Sequence, residues 1–297
     1  MSYRVFVHTN HKQMIGARVA QYSLTRNSAQ PERFQVEIIA TQDHPFLQAR
    51  EGQLYLRGGE RRPWLNDDLQ SFTPLRFMPP QLMGYQGRAV VIDPDVFAVG
   101  DILELLEQDM GDKAVLCRRR PGAKGWASSV MLLDCAKLTH WDCQRDFEAL
   151  FAFAFDYQDW VTLKREAQSR IGLLAEHWND FDHLGPDTRL LHNTKRQTQP
   201  WKTGLPVDFR PAEKLRLFPP KGWIKRLRRQ LFGEYAFLGT YKPHPDPNQE
   251  RFFFGLLREC VEQGVVSETE LREAMRHHHV RGDALEVLER TPPLARA

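Results

Sequence analysis

The sequence predicts an α/β protein, with a parallel sheet flanked by helices and a helical C-terminal extension. Three observations carry this. A strand, a helix and a strand follow one another at the start of the chain. An apolar run, Ala89-Val90-Val91-Ile92, stops abruptly at Asp93-Pro94-Asp95. Beyond it, apolar strands and amphipathic helices follow as far as a stretch punctuated by Pro200, Gly204 and Pro206.

The elements follow in order. Tyr3-Arg4-Val5-Phe6-Val7-His8 is an apolar run read as a buried strand. Thr9-Asn10-His11-Lys12 breaks it, a helix is expected over 14–25, and Phe34-Gln35-Val36-Glu37-Ile38-Ile39 is a second strand. This order is that of a βαβ unit and so of parallel strands. Residues 41–72 are polar and aperiodic, and are expected to form loops and a short helix. The stretch 75–83 is helical in pattern but broken by Pro79-Pro80. Residues 88–92 read as a central strand, followed by an amphipathic helix over 102–108. Further strands are expected at 114–117 and 129–133, and helices at 146–154 and 160–171. In the last third, 252–263 is a strongly apolar helix, and Ser267-Glu268-Thr269-Glu270 is a capping box that opens the final helix. Adjacent histidines on a helix point about 100° apart, so His277-His278-His279 is read as an exposed helix end rather than a metal site.

Composition narrows the function. With 41% hydrophobic and 27% charged residues, the chain is neither disordered nor collagen-like. A net charge of +3 is too small to argue for a nucleic-acid partner. The basic excess lies in the C-terminal third, around Lys221, Lys225, Arg226, Arg228 and Arg229. Trp223, Ile224, Leu227 and Leu231 share one face of that segment, 217–232. It reads either as a peripheral contact with an anionic membrane or as a core-packed helix with a solvated basic rim. No run of about 18 apolar residues is present to span a bilayer. Cys117, Cys135, Cys143 and Cys260 are too scattered for a disulfide scaffold. The chain enters a strand at once, without a secretory pattern. A reduced, cytoplasmic location is expected, with contact to the inner membrane face through 217–232 as the variant of it.

Asp93-Pro94-Asp95 is the sharpest local feature. Open parallel sheets bind ligands beyond the carboxyl ends of their strands. Two carboxylates at i and i+2 of a strand end can both reach one hard divalent cation, and such an ion binds a diphosphate. Taken alone the pair also fits a turn or a helix cap.

Three ordered blocks resemble glycosyltransferase family 8 and its bacterial relatives. The first runs from Phe72-Thr73-Pro74-Leu75-Arg76-Phe77-Met78-Pro79 through Val90-Val91-Ile92-Asp93-Pro94-Asp95-Val96-Phe97 to Asp101-Ile102-Leu103-Glu104-Leu105. The second is Gly125-Trp126-Ala127-Ser128-Ser129-Val130-Met131-Leu132-Leu133-Asp134-Cys135, similar to the Trp-x-Ser-Ser-x-Met-Leu block of one bacterial branch. The third, Leu190-Leu191-His192-Asn193-Thr194 with Pro200-Trp201, resembles the family's closing His…Pro-Trp motif. The resemblance covers roughly the first two thirds of the chain and implies a GT-A, Rossmann-like fold with a mixed, mostly parallel sheet. It implies a nucleotide-sugar-binding and catalytic domain over 1–206, with 207–297 as a mainly helical extension.

The function so implied is a metal-dependent, retaining glycosyltransferase of hexosyltransferase type. It would move a sugar from a UDP-sugar to a hydroxyl of a glycan or lipid-linked acceptor in surface glycan synthesis. Asp93, Asp95 and His192 would hold Mn²⁺ or Mg²⁺, and His192 follows a short apolar strand of its own. Two carboxylates and an imidazole form a mixed oxygen–nitrogen shell suited to Mn²⁺. Lys195 or Arg196 would bind the diphosphate, Arg76 the nucleotide-sugar, and His8, Thr9 and Asn10 the uracil and ribose. Ser128 and Ser129 would meet sugar hydroxyls. Asp156, Gln158 and Asp159 match in part an acid-amide-acid stretch beside the reacting sugar. Asp156 and Asp159 fit a helix N-cap equally well, and Arg76 fits a helix surface. The chain departs from the family in lacking Gly-x-x-Lys-Pro-Trp, because Gln197-Thr198-Gln199 precede Pro200. Two rival functions stay open. One is a sugar-nucleotide nucleotidyltransferase, which needs a Gly-rich loop where Thr9-Asn10-His11-Lys12 has no glycine. The other is a catalytically degenerate binder of nucleotide or sugar.

Overall fold

The computed structural model describes residues 3–120, 122, 125–209 and 238–295. The amphipathic segment 217–232 lies outside them. The chain opens with β1 (Tyr3–Thr9), α1 (Met14–Arg26) and β2 (Gln35–Ala40), the expected βαβ unit, with β1 and β2 parallel. A short helix, α2 (Pro45–Gln48), leads to a hairpin of β3 (Leu54–Arg57) and β4 (Glu60–Pro63). The hairpin replaces the loops expected over 41–72. Its turn is Gly58-Gly59, both at positive φ (65° and 79°), which glycine adopts without a Cβ clash and a two-residue hairpin turn requires. A 3₁₀ turn (Thr73–Phe77) and α3 (Pro79–Leu82) precede β5 (Arg88–Ile92), β6 (Val96–Ala98) and α4 (Ile102–Leu106).

Then come β7 (Val115–Arg119), β8 (Trp126–Asp134), α5 (Cys143–Phe151) and α6 (Tyr157–Val161). The helix expected over 160–171 is a correction. Trp160, Leu163, Ala167 and Ile171 repeat at helical spacing, but α6 stops at Val161 and Leu163 takes φ 58°. The Thr162 hydroxyl bonds back to the Gln158 carbonyl at 2.6 Å. The Thr162 carbonyl accepts from Trp126 N at 3.3 Å, so the chain is drawn onto the sheet instead of continuing as helix. Ile171 begins β9 (Ile171–Leu173), an edge strand parallel to β7. β10 (Asp180–Phe181) and β11 (Leu190–His192) follow. The last third contributes α7 (Pro247–Glu262), α8 (Glu268–Arg276, with the predicted capping box) and α9 (Ala284–Arg290), so the capping box does not open the final helix as expected.

The main sheet has the order β2-β1-β5-β8-β7-β9. β1 pairs in parallel with β2 and β5, and β7 with β9, while β8 is antiparallel to both its neighbours. This is the mixed, mainly parallel sheet that the resemblance implies. Alternate residues of its strands face opposite layers. Val5, Val7, Val90, Ile92, Val130 and Leu132 pack in one core with α1 and with Phe253, Phe254, Leu256 and Leu257 of α7. Phe6, Ala89, Val91, Met131 and Leu133 pack in the other with Trp64, Phe147, Tyr157 and Trp160. Strand order places the carboxyl ends of β1 and β5 beside the start of β8. No helix of the described residues is long and apolar enough to cross a membrane.

Candidate functional site

β5 ends at Ile92 and Asp93 follows it. Pairing of Val7 with Ile92 sets His8 alongside, and antiparallel pairing of Ile92 with Val130 brings Ser128 and Ser129 to the same edge. Asp93 N donates to the Ser129 carbonyl at 3.0 Å. The chain turns at Pro94 and leaves through β6, which pairs antiparallel with β11, with His192 opposite Val96. Asn193 N donates to the Asp95 carbonyl at 3.0 Å, so His192 stands over Asp95. One ligand atom from each of Asp93, Asp95 and His192 lies within 4.8 Å of the others, a cluster able to hold a metal ion.

The two carboxylates are held differently. Asp93 is buried and gripped by Arg76, whose Nε donates to Oδ1 at 2.9 Å while Nη2 donates to Oδ2. His8 Nε2 is 2.9 Å from the same Oδ1. Burial by itself would raise the Asp93 carboxyl, but the Arg76 charge and the His8 contact hold it well below the usual carboxylate range. Burial lowers the pKa of His8 against the pull of Asp93, so its ring is neutral. Arg76 Nη1 donates to Ser128 Oγ at 2.9 Å, and that hydroxyl donates to the Val161 carbonyl at 2.6 Å. Arg76 and Ser128 thus face inward, onto Asp93 and each other.

Asp95 is the freer ligand. Its Oδ2 accepts from Gln199 Nε2 at 2.9 Å, while the buried Oδ1 has no hydrogen-bond partner among the described residues. His192 Nε2 lies 3.3 Å from that Oδ1. On the other side of the ring, Nδ1 is 2.8 Å from Asn179 Oδ1, which can only accept, so Nδ1 carries the proton and Nε2 is left as the ligand atom. Asn179 Nδ2 donates in turn to Ser129 Oγ at 3.1 Å. Burial opposes charge on His192, but Asp95 raises its pKa above the ordinary value. An orphaned buried carboxylate oxygen, an imidazole nitrogen aimed at it and a second carboxylate fit a divalent cation.

The triad opens onto a hollow of about 500 Å³. A larger one of about 760 Å³ adjoins it, between the β3–β4 hairpin and residues 194–198. Arg57, Tyr157, Gln158 and Arg196 line both. Lys195 is exposed and borders the larger hollow.

The remaining predicted residues have varied placements. Thr9 and Asn10 are fully buried. Thr9 Oγ1 donates to the Asn10 carbonyl at 3.2 Å. The Asn10 side chain caps the turn at Lys12 N and ties in the loop at Asp68 O and Ser71 Oγ. The Asp156 carboxylate accepts from Gly58 N (2.9 Å), Gly59 N (2.7 Å) and Gln158 N (2.7 Å), so it caps α6 and clamps the hairpin turn. Asp159 pairs with Lys164 at 2.8 Å on the exposed side of the helix. Of Asp156, Gln158 and Asp159, it is Gln158 that borders the hollows. Asn179, Gln199 and Arg57 belong to the site without having been singled out in the sequence. Gln199 directly precedes the Pro200-Trp201 pair and was within reach of that motif. Asn179 and Arg57 carry no local signal, because long-range packing brings them in.

No protein-family model matches the chain, and no curated protein does. Among solved structures it is similar to the glycosyltransferase GlyE of Streptococcus pneumoniae TIGR4, at 15% identity over 89% of this chain and 64% of that one, with a TM-score of 0.49. It is similar to the galactosyltransferase LgtC in complex with donor and acceptor sugar analogues, at 16% identity over 67% of this chain and 89% of that one, TM-score 0.45. It is also similar to mouse xyloside xylosyltransferase 1, at 15% identity over 66% and 99% of the two chains, TM-score 0.44. The chain thus spans 64% of the length of GlyE.

Proposed function

We propose that the cleft is the donor site of a metal-dependent, retaining glycosyltransferase that moves a sugar from a UDP-sugar to a hydroxyl of a glycan or lipid-linked acceptor, in surface glycan synthesis. The observation that carries the reading is the Asp93–Asp95–His192 cluster at the carboxyl edge of the sheet, opening onto a hollow bordered by guanidinium groups. The three sequence blocks support the donor class and retention. Asp93, Asp95 and His192 would hold the ion, Mn²⁺ or Mg²⁺, and when bound it supplies positive charge for the leaving diphosphate.

The chain's own residues do the positioning. Arg76 and His8 keep Asp93 ionised and fixed, and Asn179 presents Nε2 of His192. Arg196 and Lys195 place cationic charge beside the hollows, where diphosphate oxygens would be met by charge-assisted hydrogen bonds. Gln158 borders the same space and is the residue we assign to the reacting sugar, with its amide oxygen available to developing positive charge. In this reading residues 1–206 form the catalytic domain, 207–297 extend it, and 217–232 is the candidate membrane contact.

Thermal shift with Mn²⁺ and a panel of UDP-, GDP- and ADP-sugars tests this on the wild type and on Asp95→Ala. A ligand that binds the folded state raises the midpoint by mass action. The expected result is a Mn²⁺-dependent shift with a UDP-sugar that Asp95→Ala loses, together with UDP release on turnover. Binding without any UDP release would favour a degenerate binder, and no shift with any nucleotide would overturn the donor site itself.

A further inference from the structure

Arg57 closes β3, one residue before the Gly58-Gly59 turn, and is half-buried. Its Nη2 donates to Gln70 Oε1 at 3.1 Å, and its guanidinium carbon lies 4.9 Å from the centre of the Tyr157 ring. Arg196 comes from the loop after β11, also half-buried, with its guanidinium 5.5 Å from the centre of the Phe209 ring. Neither forms an ion pair with a carboxylate of the described residues, and both line both hollows.

Several other arginines of the described residues are answered by carboxylates. Arg76 is paired with Asp93, Arg26 with Glu259, Arg118 with Glu176, and Arg281 with Glu250 and Asp283. A partly desolvated guanidinium costs free energy unless a counter-charge meets it, and two that converge add mutual repulsion. Burial lowers the Arg196 pKa against the pull of Asp68 and Asp95, with Arg57 adding to the lowering. The fold nevertheless holds Arg57 there firmly. The Asp156 carboxylate takes the two N–H groups of the Gly58-Gly59 turn and caps α6 as well, tying the hairpin tip to the helix that carries Gln158. A pair of planar five-donor forks in no ion pair with a carboxylate of the described residues is suited to an anion that offers several oxygens.

We propose that Arg57 and Arg196 form a clamp for a diphosphate, with Asp156 as the positioning residue that sets the hairpin. Assigning that diphosphate to a nucleoside diphosphate donor rests on the function proposed above, whereas the clamp itself needs only a diphosphate. Calorimetric titration of the full chain with inorganic pyrophosphate and with UDP, each with and without Mn²⁺, tests both parts. The wild type is expected to bind both ligands. Arg57→Gln and Arg196→Gln should each weaken both by about tenfold or more, and Arg57→Lys by less, since it keeps the charge and loses the fork. Asp156→Ala should weaken pyrophosphate binding while leaving the affinity for Mn²⁺ alone unchanged. Melting temperatures of the variants check that each is folded. Wild-type affinity in folded Arg57→Gln and Arg57→Lys overturns the clamp and leaves the donor site standing. Arg57-dependent binding of pyrophosphate without any binding of UDP upholds the clamp and overturns the nucleotide reading. A wild type that binds neither ligand overturns both.

Discussion

Asp95 and His192 can serve as metal ligands because of a residue that touches no ligand. Asn179 accepts the Nδ1 proton of His192 and frees Nε2, and its own amide is fixed by Ser129. Partners of this kind set the tautomer and aim of a metal-binding imidazole, and their loss costs about 10–100-fold in metal affinity. Asn179→Leu should weaken Mn²⁺ binding by that order, read by titration of the folded protein, while Asn179→Asp should retain most of it. Unchanged affinity in Asn179→Leu would mean that the ring is held by packing alone. Asp93 shows the opposite economy. Its charge is already answered by Arg76 and His8, so it contributes a fixed carboxylate rather than a free one. The four cysteines stand apart from this chemistry. All are buried thiols, and burial pushes those of Cys135 and Cys260 up to about 12.

At the scale of elements, the Asp-Pro-Asp turn depends on one glycine of α1. A Cβ built on Gly16 would sit 2.6 Å from the Pro94 carbonyl oxygen. That contact is with backbone, which cannot swing away as a side chain would. In an open helix interior, Gly→Ala stabilises by about 1 kcal/mol. Here Gly16→Ala is expected to destabilise instead, and to weaken Mn²⁺ binding by pushing Asp93 and Asp95 off the helix. A urea midpoint above that of the wild type would show that the turn yields freely. The hairpin teaches a related lesson. Gly58-Gly59 is a strong two-residue turn signal, yet Leu-Tyr-Leu-Arg is short and Glu-Arg-Arg-Pro too polar to declare a strand. Their pairing is completed by Asp156, almost a hundred residues later, and by burial of Tyr55 and Trp64 against Phe151 and Phe147.

Across the whole molecule, the C-terminal helices are part of the core rather than a separate layer. Phe253 of α7 packs on Phe97 of β6 and on Trp201, both behind the Asp95–His192 pair. The end of α8 returns to the start of the chain. His277 and His278 are exposed as the sequence predicts, but His279 is half-buried, 5.5 Å from the His11 ring. Burial first, then His11, Lys202, Lys12 and His277, push its pKa from 6.5 to about 4. Asp67 balances part of this charge by pairing with His11 and Lys12. The folded protein therefore binds fewer protons here than the unfolded chain between pH 4 and 6.5. Stability rises with pH across that window and is lost as the pH falls through it. His279→Gln should flatten this slope in urea denaturation at a series of pH values. An unchanged slope would place the dependence on other groups.

The sequence by itself determined the βαβ opening, the central strand that ends at Asp93-Pro94-Asp95 and the strand that delivers His192. In each, a local apolar run is long enough to bury both faces and stops at polar residues. It did not determine where α6 ends, because helical periodicity survives in 160–171 while Thr162 and Trp126 bind that backbone to the sheet. Nor did it show that Asp156, besides the helix cap it offered, clamps the hairpin turn, that Arg76 turns onto Asp93, or that Asn179, Gln199 and Arg57 belong to the site. Those roles depend on partners tens of residues away in the chain, and the tertiary structure alone sets which donor meets which acceptor.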